Sequence, residues 1–77
     1  MRKLPILSAK EIIKVLEKEG FRVVRQKGRH VSLYKKSEDK TYLVVVPDKK
    51  EVKRGTLVSI LRQAGINGDR FLELLEK

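Results

Sequence analysis

Apolar residues in this chain keep a helical spacing as far as Gly20 and an alternating spacing beyond it, so helix must give way to strand at that glycine. Before it, Ala9, Ile12, Ile13 and Leu16 fall on one face of a 3.6-residue period. Ser8, with Glu11 three residues later, reads as a capping box that starts the helix. After it, Phe21, Val23 and Arg25 alternate with Arg22, Val24 and Gln26, a strand whose inward face the pattern does not decide. Lys27-Gly28 reads as the first turn. A second strand follows, with Val31 and Leu33 on one side and His30, Ser32 and Tyr34 on the other.

The segment from Lys36 to Lys40 is polar and reads as a hairpin loop, and Thr41 to Val46 is a β-branched third strand stopped by Pro47. From Pro47 to Gly55 apolar periodicity is missing, which predicts an exposed basic loop carrying Lys49, Lys50, Lys53 and Arg54. Thr56 is expected to cap a helix whose stripe of Leu57, Ile60, Leu61 and Ala64 ends at Gly65. Asn67 is expected to cap a last short helix from Gly68 to Glu76, with Phe71, Leu72, Leu74 and Leu75 as packing surface. The expected class is α+β, an antiparallel three-stranded meander covered by helices on one face. This is also the element order of a double-stranded-RNA-binding domain, here with an extra C-terminal helix.

Residues 1–77 are expected to form one domain, in a size range that buries about 60% of the unfolded surface. The chain has no cysteine, which removes disulfides, thiolate ligands and cysteine nucleophiles, and one histidine cannot build a zinc site alone. No cofactor is expected. The opening Met1 to Leu7 is basic and then apolar, but Ser8 to Glu11 interrupts it before a signal core or membrane span is complete. A cytoplasmic protein with no membrane partner is the expectation.

Charge narrows the choice of partner. The formal net charge is +9, and between Arg22 and Arg54 eleven Lys or Arg face four Asp or Glu, whereas the tail from Gly65 is nearly balanced. A basic middle flanking strands and turns points to a polyanion, most commonly nucleic acid. Within it stands the only histidine, His30, in Arg25-Gln26-Lys27-Gly28-Arg29-His30. Imidazole titrates near neutrality, so one set among cations at a strand entry is a candidate proton-transfer group beside a phosphate. Lys27, Gly28, Arg29 and Lys35 are the first choices for phosphate contact, with Lys53 and Arg54 of the basic loop as a second set. Tyr34 shares the His30 face and suits stacking on an unpaired base, and Tyr42 is ranked below it on the same face. Phe21 and Phe71 belong to the core.

The order and spacing of several pieces resemble the HicA-type toxins, mRNA interferases of toxin–antitoxin pairs, over nearly the whole chain. The pieces are Ser8-Ala9-Lys10-Glu11-Ile12-Ile13, Gly20-Phe21 leading to Lys27-Gly28-Arg29-His30, Val45-Val46-Pro47, and Lys53-Arg54-Gly55-Thr56-Leu57 running on to Gly65. The family's functional histidine falls on His30. Two positions depart from the family pattern: Arg29 stands where members often have serine, and Arg54 stands where a proline is usual. The resemblance implies a metal-independent endoribonuclease acting on mRNA and silenced by a HicB-like antitoxin, with His30 catalytic. Whether His30 acts as base or acid stays open at this stage. The rival readings are a non-catalytic RNA-binding module of the same fold and a helix-turn-helix DNA reader around Gly65. The second is disfavoured by Glu73 and Glu76 on the last helix.

Overall fold

In the computed structural model, which describes residues 3–77, the chain runs helix, three strands, two helices. Met1 and Arg2, the start of the basic opening, lie outside the described residues. Helix α1 spans Ala9–Lys18 and begins with both halves of the expected capping box: the Ser8 hydroxyl accepts from the Glu11 amide, and the Glu11 carboxylate accepts from the Ser8 amide at 2.9 Å. Those hydrogen bonds favour the ionised carboxylate and hold Glu11 below its ordinary carboxyl range. Beyond Lys18 the helix unwinds through Gly20, at φ +109°, and the Phe21 amide closes back on the Leu16 carbonyl.

Strands β1 (Arg22–Lys27), β2 (His30–Lys36) and β3 (Thr41–Pro47) form one antiparallel sheet in the order β1-β2-β3. Period-two geometry sends Val31 and Leu33 of β2, with their cross-strand partners Val46 and Val44, to a single buried face. There they join Ile12, Val15 and Leu16 of α1 in one apolar cluster. Helices α2 (Arg54–Ala64) and α3 (Gly68–Glu76) complete the cluster with Leu57, Ile60, Leu61, Phe71 and Leu74. Asn67 caps α3 as expected, its side chain accepting from the Arg70 amide at 2.8 Å. Lys18 holds the other end of α3 by donating to the Leu74 and Lys77 carbonyls.

Three expectations need correction. The helix after the basic loop begins at Arg54 and not after Thr56; Lys53 occupies the N-cap position without a side-chain hydrogen bond. A lysine has no acceptor to offer there, so the sequence carries no capping signal at the true start. The loop from Pro47 to Gly55 is not wholly exposed, because Val52 is buried and pairs with Leu7 in an isolated bridge, donating its amide to the Leu7 carbonyl at 2.7 Å. Finally, the first turn is Gly28-Arg29, one residue later than expected, since Lys27 still belongs to β1.

α2 ends where the stripe predicted, at Gly65 in the left-handed conformation with φ +72°. A Cβ at this position would also meet the Tyr42 ring at 2.6 Å. Gly65→Ala therefore combines a left-handed backbone cost of about 1–2 kcal/mol with displacement of Tyr42. Gly55→Ala, in the first turn of α2 with open space around it, is expected to be neutral or stabilising by about 0.4–1 kcal/mol. Urea unfolding of the two variants checks the contrast; equal stabilities would contradict the Gly65–Tyr42 contact.

Candidate nucleic-acid interface

All three helices pack on one side of the sheet, so the other side carries the outward half of every strand. His30 opens β2 immediately after a two-residue hairpin turn in which only Gly28, at φ +58°, has a positive φ. That is the requirement of a type II′ turn, whose twist matches the flanking strands. The Arg29 carbonyl in this turn accepts from the Asp48 amide at 2.7 Å, and the Lys49 carbonyl accepts from the Ala9 amide at 2.9 Å. The turn is thereby tied through residues 48 and 49 to the start of α1, and the lysines of this loop lie at the same end of the sheet as His30.

Directly opposed residues on antiparallel strands project to the same face. His30 is paired with Lys27 on β1 and Pro47 on β3, Ser32 with Arg25 and Val45, and Tyr34 with Arg22 and Leu43. The outer face thus holds three rows: Arg22, Arg25 and Lys27; His30, Ser32 and Tyr34; Leu43, Val45 and Pro47. An open depression of about 430 Å³ is lined by Arg25, Lys27, His30, Ser32 and Val45.

Strict alternation along β1 separates Arg22 from Arg25. The structure unites them through a bulge: Val23 pairs with Leu33 and Arg25 with Ser32, leaving Val24 as the extra residue. The phase of β1 shifts by one there, so Arg25 and Lys27 move to the same side as Arg22. Arg22, Arg25 and Ser32 are therefore candidate site residues that sequence reasoning missed. The adjacent pair Val23-Val24 was the available signal, since two neighbouring apolar residues in a strand without a covering layer satisfy no single face.

Of the expected site residues, Lys27, Gly28, Arg29, His30 and Tyr34 come together on this face and its rim. Lys35 does not. It alternates to the helix side, where its ammonium lies 3.6 Å from the Glu19 carboxylate and 5.8 Å from the centre of the Phe21 ring. Tyr42, paired with Lys35, also faces the helix side, edge-on to Phe21 at 6.4 Å between ring centres. Arg54 turns toward the N-terminal segment, its Nε donating to the Leu4 carbonyl, and Lys53 precedes it at the N-cap. Neither residue lines the depression at His30. Phe21 and Phe71 are buried as expected. Among the described residues no three His, Cys, Asp or Glu side chains gather as a metal site requires, and no helix is long and apolar enough to cross a membrane.

Fold and site define a small α+β protein with a one-sided sheet, whose uncovered face presents a histidine among cations. The family model described as the HicA toxin of bacterial toxin–antitoxin systems matches residues 9–66, from the first residue of α1 to the residue before the α3 cap. The chain belongs to the HicA toxin family, and a toxin of this kind has an antitoxin as its partner. No curated protein matches the chain.

The turn residue that presents His30 is testable without any ligand. Gly28→Ala meets no steric neighbour, so its cost is the backbone conformation alone, about 1–3 kcal/mol. It is expected to shift the imidazole ring resonances of His30 in NMR spectra while leaving the α3 amides unmoved. Unchanged ring resonances would mean the turn does not fix the histidine.

Proposed function

We propose that this chain is a metal-independent endoribonuclease that cleaves messenger RNA, with His30 as its catalytic residue. The observation that supports it best is the position of the only histidine at the hairpin rim of an uncovered sheet face, beside Lys27 and in one depression with Arg25 and Ser32. RNA brings its own nucleophile. Removing the proton of a 2′-hydroxyl lets that oxygen attack the adjacent phosphorus, and the bond to the 5′-oxygen breaks as the latter takes up a proton. The products are a 2′,3′-cyclic phosphate and a free 5′-hydroxyl.

The protein then has three tasks: to move a proton, to stabilise charge on the phosphate, and to hold the strand in line. An imidazole carries the first, either taking the 2′-hydroxyl proton or giving one to the departing 5′-oxygen, with solvent completing the other transfer. Lys27, Arg25 and the Arg29 turn stand where the second is needed. Lys53, Arg54 and Lys35 have no part in this arrangement. The partner under this reading is a HicB-like antitoxin that inhibits by covering the same face, which accounts for an open sheet surface in the free chain.

Incubated with single-stranded RNA in the presence of chelator, the wild-type protein is expected to give fragments with cyclic phosphate ends. His30→Ala is expected to lose about 10²–10⁴-fold in rate, the usual worth of a positioned acid or base, while retaining its fold by circular dichroism and its affinity. Lys27→Gln or Arg25→Gln should each lower the slope of log affinity against log salt by about 0.7. Binding without cleavage by the wild type would instead make the chain an RNA-binding module.

A further inference from the structure

The open face is divided along its length. Its β1 margin is cationic, with Arg22, Arg25 and Lys27 outside every ion pair among the described residues. Its β3 margin is apolar: Leu43 is 58% exposed and Val45 37%, with Pro47 completing the row. Between them, β2 carries His30 at one end and Tyr34 at the other. The three cations face every second residue of β2, roughly 6–7 Å apart, a step that suits successive phosphates of an extended strand.

Charge on one margin and apolar surface on the other complement a polymer with phosphates along one edge and exposed bases along the other. A single strand has that form, whereas a duplex keeps its base faces stacked inside. Resting on the nuclease reading above, we propose that single-stranded RNA lies along β2 with its phosphates over β1 and its bases over Tyr34, Leu43 and Val45, and that this grip is one-sided about the cleaved bond. His30 sits at the rim beside the Gly28-Arg29 turn, so the sheet face extends in only one direction from it. The four residues to Tyr34 cover about 13 Å, room for roughly two nucleotides. Past the turn, Lys49 and Lys50 offer charge but no aromatic platform. Tyr34 and Leu43 are thus binding and specificity residues, holding bases on one side of the cut.

The test has two arms. In the first, wild-type protein maps its cut on a labelled single-stranded RNA, and oligonucleotides trimmed from either end are then assayed. Trimming on one side should raise KM steeply and trimming on the other should not, and Tyr34→Ala should abolish the difference. In the second, fluorescence anisotropy follows binding of the His30→Ala protein to the same RNA, single-stranded or annealed to its complement. Here an added Tyr34→Ala should weaken single-strand binding about tenfold, the loss for one stacked base, without altering the salt slope. Tyr34→Phe, which keeps the ring, should retain affinity, and Lys14→Gln on exposed α1 should leave the single-strand preference unchanged.

Absence of any cleavage by wild type would fail the nuclease reading while the binding arm still measures the grip. Equal loss on trimming either end, equal affinity for duplex, or affinity indifferent to Tyr34→Ala would overturn the one-sided grip even if cleavage is confirmed. So would a Tyr34→Ala protein that loses its antitoxin and keeps RNA, which would assign the apolar margin to protein docking.

Discussion

Burial of Val31, Leu33, Val44 and Val46 beneath the helices is the constraint on which the remaining features depend. Side chains alternate along an extended strand, so committing these four to the core sends His30, Ser32 and Tyr34 to the opposite surface with no further instruction. Fully burying each such side chain is worth about 1.5–3 kcal/mol. A one-residue slip of β2 would forfeit that and place His30 and Tyr34 in the core, so register and site stand or fall together. The helices meanwhile use up the inner face of β2 and β3. α2 also serves the open edge of β3, where Gln63 accepts from the Val45 amide at 3.2 Å. Pro47, with no amide hydrogen to offer, leaves little there for an unwanted strand to pair with.

The other edge is handled differently, and its solution shapes the candidate site. β1 is exposed along its whole length, a liability that bulges and charged side chains relieve. The bulge at Val24 provides the first, and the same irregularity turns Arg25 and Lys27 to the face that Arg22 already occupies. A device that protects an edge strand thus assembles the cationic margin beside His30. Lys35, near in sequence and equally basic, contributes instead to the helix side, where with Arg70 it flanks the Glu19 carboxylate.

Much of this was legible in the residues because the signals were local. Ser8 and Glu11 specify the start of α1 through reciprocal hydrogen bonds, Gly65 marks the end of α2 through its left-handed φ, and the alternation of Val31 and Leu33 with His30 and Ser32 identifies the two faces of β2. What escaped depended on partners distant in sequence or on a missing signal. The start of α2 carries no capping side chain at Lys53. Val52 is buried only because Leu7 pairs with it. The face of Tyr42 follows from its pairing with Lys35, and the gathering of Arg22 with Arg25 follows from a bulge that period-two reasoning does not contain. The residues around the family motif pointed to His30 and Lys27 but not to Arg22 and Arg25, which share their face.

The central claim is that the uncovered face of the sheet is where RNA binds and is cut. The most direct measurement is amide chemical-shift mapping of ¹⁵N-labelled His30→Ala protein titrated with single-stranded RNA at low salt. Shifts confined to Arg22–Lys27, the Gly28-Arg29 turn, β2 and the outer positions of β3, with the exposed residues of α1 and α3 unmoved, are the predicted result. Shifts centred on the helices, with the sheet face silent, would contradict it.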